Sequence, residues 1–126
     1  MTTQKMTYRS TRGEDAGEGY SDIVLTGLAR DGGLYLPAHY PQIDAGTIFS
    51  WKNLSYADLA FEVMRRFADD IDPQKLRDLL RATYVPGRFC NGRPEDDATL
   101  ITPVHWIDGG ACGLLSLSNG PTLAFK

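Results

Sequence analysis

Residues 55–84 read SYADLAFEVMRRFADDIDPQKLRDLLRATY, two stretches of helical period separated by a short acidic break. In the first, Ser55 and Asp58 form a capping-box-like pair, and Tyr56, Leu59, Ala60, Val63, Met64 and Phe67 recur at the i, i+3, i+4, i+7 spacing of one helix face. That spacing predicts a helix opening at Ser55 with this face buried. In the second, Asp72 stands as N-cap, and Pro73 occupies the first helical position, where its missing N–H costs least. Leu76, Leu79, Leu80, Thr83 and Tyr84 mark its packed face, and Val85-Pro86-Gly87 stops it.

Toward the N-terminus, Met6 to Ser10 alternates as a short strand should, and the stretch from Thr11 to Gly19 reads as a flexible loop. Ser21 is the expected N-cap of a short helix running to about Leu28, with Tyr20 and Leu25 spaced as a hydrophobic staple. Asp31-Gly32-Gly33 makes a turn, and Leu34, Tyr35 and Leu36 suit a brief strand that Pro37 and Pro41 keep from a central position. The segment from there to Trp51 reads as irregular. Toward the C-terminus, residues 87–99 are polar and turn-rich, the best place for a boundary between structural units. Val104–Ile107 and Leu114–Leu117 then flank Asp108-Gly109-Gly110 as a hairpin whose loop exceeds two residues.

Composition narrows the function. With 126 residues, 42% hydrophobic and 23% charged, the chain lies in the range of an ordinary globular domain, large enough to fold without a disulfide or a structural metal. A net charge of −3 and the lack of clustered Lys and Arg argue against nucleic-acid binding; the adjacent pair Arg65-Arg66 reads as a solvated helix face. Cys90 and Cys112 have no CxxC spacing and read as two reduced thiols, while His39 and His105 stand apart from other metal-ligating types, so no metal is expected. The opening residues carry no apolar signal region and no stretch of 18 or more apolar residues exists, which together predict a soluble cytoplasmic protein without a membrane segment.

The last nine residues, Ser118-Asn119-Gly120-Pro121-Thr122-Leu123-Ala124-Phe125-Lys126, follow an expected strand and combine turn formers with a terminal lysine. GPTLAFK resembles the threonine synthase signature HGPTLAFKD around the cofactor lysine, with Asn119 in place of the usual histidine. Tyr8-Arg9-Ser10-Thr11-Arg12-Gly13 agrees with the same family, and the segment GLARDGGLYLP at 27–37 resembles its GLAPDGGLYVP block. Three blocks in the family's order run across the whole chain, which corresponds to the first quarter or so of a typical member.

The resemblance implies an α+β N-terminal domain of short strands plus two or three amphipathic helices, residues 1–97. It also implies that residues 98–126 begin a fold-type-II pyridoxal-phosphate α/β catalytic domain. The reaction it implies is conversion of O-phospho-L-homoserine and water to L-threonine and phosphate, with pyridoxal phosphate as cofactor. Lys126 would form the Schiff base with that cofactor, since a primary amine is needed and can later transfer protons. Asn119 and Thr122 are candidate cofactor or substrate contacts, although turn stabilisation and capping explain them as well. No role of the family's histidine carries over to Asn119. The family's glycine-rich phosphate-binding loop and the group facing the pyridine nitrogen lie downstream of the lysine, so these residues alone are expected to be inactive. Asp31-Gly32-Gly33 and Ser10-Thr11-Arg12-Gly13 lack the strand, glycine loop and helix order of a nucleotide motif and read as turns. Two alternatives stand beside this reading: an autonomous α+β packing or interaction domain, and another β-family pyridoxal-phosphate enzyme, in which the DGGLYLP block has no place.

Overall fold

The computed structural model describes residues 5–89, 97, 99–118 and 120–121. They form a small α+β structure, and the chain divides into two compact units, Met1–Leu79 and Leu80–Lys126.

In the first unit, β1 (Tyr8–Ser10) is the central strand of a three-stranded sheet ordered β2-β1-β3, with β2 at Ala16–Glu18 and β3 at Tyr35–Pro37, both antiparallel to β1. Pro37 therefore ends an edge strand, as its missing N–H requires. β2 lies in the stretch expected to be loop. Its Ala-Gly-Glu sequence carries no strand propensity, and pairing with β1 through a register shift between Tyr8 and Arg9 makes it a strand.

Helix α1 spans Tyr20–Thr26 and is capped by Gly19, two residues earlier than the expected cap Ser21. Gly19 has no side chain to offer, so carboxylates do the capping: Asp22 accepts the Gly19 N–H at 3.3 Å, and Asp70 accepts the Ser21 N–H at 2.9 Å. A Cβ on residue 19 would lie 2.8 Å from the Asp70 carboxylate, which is why glycine stands there. The expected Tyr20–Leu25 staple is absent, since Leu25 is 88% exposed. Gly27, at φ +77°, ends the helix before Leu28.

The segment expected to be irregular holds α2, Ala45–Ser50, whose N-cap Asp44 accepts the Thr47 N–H at 2.9 Å and its hydroxyl at 2.7 Å. Helix α3, Tyr56–Met64, opens at Ser55 as the spacing predicts, with Ser55 Oγ accepting the Asp58 N–H at 3.1 Å and donating to its carboxylate at 2.7 Å. Its buried line is not the expected one. Ala57, Phe61 and, just beyond the helix, Ala68 are buried, whereas Tyr56, Leu59 and Val63 are exposed. Two tethers to β1 and the residues just before it accompany that rotation: the Tyr8 hydroxyl donates to the Phe67 carbonyl at 2.8 Å, and the Met6 N–H to Asp69 at 2.7 Å. Arg77 covers the Phe61 ring at 3.8 Å while pairing with Asp58 at 3.1 Å. Arg65 and Arg66 both pair with Glu62, and Arg66 also stacks over Trp51, so this pair is partly engaged rather than simply solvated.

Helix α4, Pro73–Thr83, begins as expected, with the Asp72 carboxylate accepting the Lys75 N–H at 2.9 Å. Leu76 and Leu80 are buried as its spacing requires, but Leu79 is exposed. In the second unit, Tyr84 and Phe89 stack at 5.4 Å, and Ile101 is buried. β4 (Val104–Ile107) and β5 (Cys112–Leu115) form the expected hairpin, with β5 two residues earlier than its apolar run suggested. Asp108, Gly109 and Gly110 all have positive φ, so the tight reversal is completed by Ala111 and pairing resumes with Cys112 opposite Ile107. No helix among the described residues is long and apolar enough to cross a membrane.

Candidate functional site

Lys126, Asn119 and Thr122, the residues that the terminal signature singles out, lie outside the described residues. The described chain leading to them runs from β5 through Ser116, whose N–H donates to the Pro103 carbonyl at 2.9 Å, to half-buried Gly120 and exposed Pro121.

The other two signature blocks meet in space. Tyr8, Arg9 and Ser10 pair with Pro37, Leu36 and Tyr35 across the β1–β3 ladder, and the two turns that follow and precede these strands interlock. Ser10 is 4% exposed. Its hydroxyl donates to Asp31 Oδ1 at 2.6 Å and accepts the Arg12 N–H at 3.0 Å. Asp31 also accepts the N–H groups of Gly33 at 2.9 Å and Glu14 at 3.2 Å, while Arg12 Nη1 donates to the Asp31 carbonyl at 3.0 Å. Thr11 and Leu34 exchange two bonds: the Leu34 N–H reaches Thr11 Oγ1 at 3.0 Å and the Thr11 N–H reaches the Leu34 carbonyl at 2.8 Å. This is a clasp between positions 10–14 and 31–34, and it explains both glycines of the Asp31-Gly32-Gly33 turn. Gly32 adopts φ +77°, and a Cβ on Gly33 would collide with Ser10 Oγ.

Electrostatics follow the same bonds. The Ser10 hydroxyl, helped by the two N–H donors and by Arg12, holds the Asp31 carboxyl below the usual carboxylate range against the opposing effect of desolvation. Beside it, Asp15 accepts the Tyr35 hydroxyl at 2.7 Å and the Arg30 N–H at 3.2 Å. The Tyr35 hydrogen bond lowers Asp15 and pushes the Tyr35 hydroxyl up to about 12. Sequence reasoning missed the Asp15–Tyr35 pair: Asp15 sits in a glycine-rich acidic stretch, and nothing in its spacing announces a partner 20 residues away. The Ser10 hydroxyl has both its roles filled by the clasp, which makes it an architectural group rather than a nucleophile. The face left open is different. Arg9, Ser10, Thr11, Arg12, Gly13 and Leu36 line a shallow cavity of about 330 Å³.

Comparison with known proteins gives a consistent result. The family model described as threonine synthase N terminus matches residues 7–84. The chain is 46% identical to threonine synthase of Methylobacillus glycogenes, over 96% of this chain and 25% of that protein. It is 41% identical to threonine synthase of Pseudomonas aeruginosa, over 96% of this chain and 24% of that one. A crystal structure of PLP-bound threonine synthase from Brucella melitensis superposes with a TM-score of 0.75 at 39% identity, covering 96% of this chain and 24% of its own. The chain thus spans about a quarter of the length of the relatives it matches. The matched region runs from the opening strand through the end of α4, the same residues that build the clasp and the helices it is tethered to, and on that evidence the chain belongs to the threonine synthase N terminus family.

Proposed function

We propose that this chain forms the N-terminal part of a threonine synthase, which converts O-phospho-L-homoserine and water to L-threonine and phosphate with pyridoxal phosphate as cofactor. The family match over residues 7–84 carries the reading, and the intact GPTLAFK at 120–126 supports it. On this reading residues 1–97 are the N-terminal domain, and residues 98–126 begin a fold-type-II α/β catalytic domain.

The donor set at the end of the chain fits the cofactor chemically. Lys126 supplies the primary amine that an aldehyde cofactor needs for a covalent link, with Asn119 and Thr122 as nearby polar groups. Pyridoxal phosphate, when bound, supplies the electron sink for bond breaking beside the substrate amino group. The chain's own contribution is positional and protonic. Gly120 permits backbone conformations closed to other residues and Pro121 fixes the next φ on the way to Lys126, and the neutral ε-amino group can carry a proton to or from substrate. The 126 residues hold only part of such a site, so turnover belongs to the full-length protein.

The test is phosphate release from O-phospho-L-homoserine by the full-length protein, wild type and Lys126→Ala. Release by the wild type that falls to background in the variant, together with a borohydride-trapped adduct on the Lys126 peptide, supports the reading. No release by the wild type would remove it.

A further inference from the structure

The exposed side of the β1–β3 pair presents hydrogen-bond donors that the fold itself does not use, and we propose that the cavity they line binds a phosphate group. The backbone amides of the turn are all engaged: those of Ser10 and Thr11 with the Asp15 and Leu34 carbonyls, that of Arg12 with Ser10 Oγ, and that of Gly13 with the Ser10 carbonyl. A backbone cradle is therefore excluded, in keeping with a turn. The side chains are another matter.

The side chain of Arg9, exposed on the central strand, makes no hydrogen bond or ion pair among the described residues. Arg12 uses one nitrogen, on the Asp31 carbonyl at 3.0 Å, which fixes its guanidinium and leaves the rest of its donor fork unbonded among the described residues. Thr11 Oγ1 accepts the Leu34 N–H and keeps its own proton to donate. All three residues line the same cavity of about 330 Å³, and no carboxylate lines it. The Asp31 carboxylate of the clasp is occupied by Ser10, Gly33 and Glu14.

Two guanidinium groups and a hydroxyl proton form a donor-rich set with no carboxylate among the lining residues, which complements a phosphate dianion; guanidinium forks suit its oxygens in paired geometry. Arg12 is already held in place, so less side-chain freedom is lost on binding. Leu36, opposite Arg9 in the ladder, adds an apolar surface beside the donors. The phosphate has two sources, free inorganic phosphate or a phosphomonoester. Only the choice between them rests on the threonine synthase reading.

Titration calorimetry on the full-length protein at constant ionic strength tests the site. Inorganic phosphate is titrated into wild type, Arg9→Gln and Arg12→Gln. The expected result is a Kd weakened about tenfold or more in each variant, with most of the affinity kept by Arg9→Lys. Arg9→Gln breaks no bond of the fold, so its melting temperature stays at the wild-type value even where Arg12→Gln loosens the clasp. O-phospho-L-homoserine and L-homoserine are titrated in a Lys126→Ala background, where turnover is prevented. Tighter binding of the ester than of phosphate, lost in Arg9→Gln, identifies the ester as occupant; weaker or equal binding identifies free phosphate. Absence of saturable phosphate binding in wild type overturns the proposal, as do Kd values within twofold in both Gln variants, or homoserine binding as tightly as its phosphate ester. A protein that binds phosphate through Arg9 but releases none from substrate would keep this site and lose the proposed reaction.

Discussion

Gly33 and Asp31 show how much of this fold rests on single atoms. The added Cβ of Gly33→Ala would meet Ser10 Oγ, Asp31 Oδ1 and Thr11 Oγ1 together, three groups that already hold one another. Overpacking of this kind costs about 1–3 kcal/mol. Denaturant unfolding of the full-length protein should show that loss for Gly33→Ala, while Gly87→Ala, with open space around its Cβ, should stay within about 0.5 kcal/mol of wild type. Asp31 of the clasp and Asp15 beside it have folded pKa values below their unfolded ones, so the unfolded state takes up protons first on acidification. The stability they contribute is present above the ordinary carboxylate pKa and is lost as pH falls through the lowered folded values. Melting temperature followed from pH 7 to pH 2 should therefore drop more steeply below about pH 4 in wild type than in Asp31→Asn. Equal slopes would mean that Asp31 is not linked to folding. None of this was legible from the residues alone: Asp31-Gly32-Gly33 announces a turn, but a second turn 20 residues upstream as its partner is a tertiary fact.

At the scale of elements, caps were easier to read than faces. Ser55 and Asp72 both cap where the sequence pattern puts them, because an N-cap depends on atoms three residues away and little else. Ser55→Ala and Asp72→Ala should each cost about 1 kcal/mol in denaturant unfolding of the full-length protein. Asp44 caps α2 by the same chemistry, although the segment from Pro37 to Trp51 reads as irregular in the sequence. The buried face of α3 was misplaced because Tyr56, Leu59 and Val63 have the right period, while the line chosen by the fold runs through Ala57 and Phe61. Periodicity finds a helix; what packs on it decides which line turns inward. For α4 the two agree at Leu76, which is 1% exposed. Leu76→Ala should destabilise by about 2–5 kcal/mol in the same unfolding assay, and a loss under 1 kcal/mol would place Leu76 outside the core.

The whole molecule leaves large apolar side chains in water in both of its units. Leu25 on α1 is 88% exposed and Trp106 on β4 is 68% exposed, with Val24, Leu28, Leu114 and Leu115 also open. Side chains of this kind are normally covered, and the relatives have three-quarters of their length beyond the matched part. The isolated 126-residue chain should self-associate in sedimentation velocity, and Leu25→Glu should reduce that association. A monodisperse monomer at all concentrations would show instead that these side chains are tolerated in water. The end of the chain proposed to carry the cofactor was legible only as a family signature, since a lysine at position 126 has no physical pattern of its own.

The tethers from Met6 and Tyr8 to the residues that follow α3 set a timetable for the growing chain. Met6 bonds to Asp69 and Tyr8 to Phe67, across separations of 63 and 59 residues. At synthesis rates of about 5–20 residues per second, the opening strand waits roughly 3–12 s for those partners to be made. Through that interval its Met6 N–H and Tyr8 hydroxyl can be satisfied only by water or by a transient substitute. The β1–β3 clasp, complete by residue 38, is available much sooner and gives the nascent strand a local structure to hold while it waits.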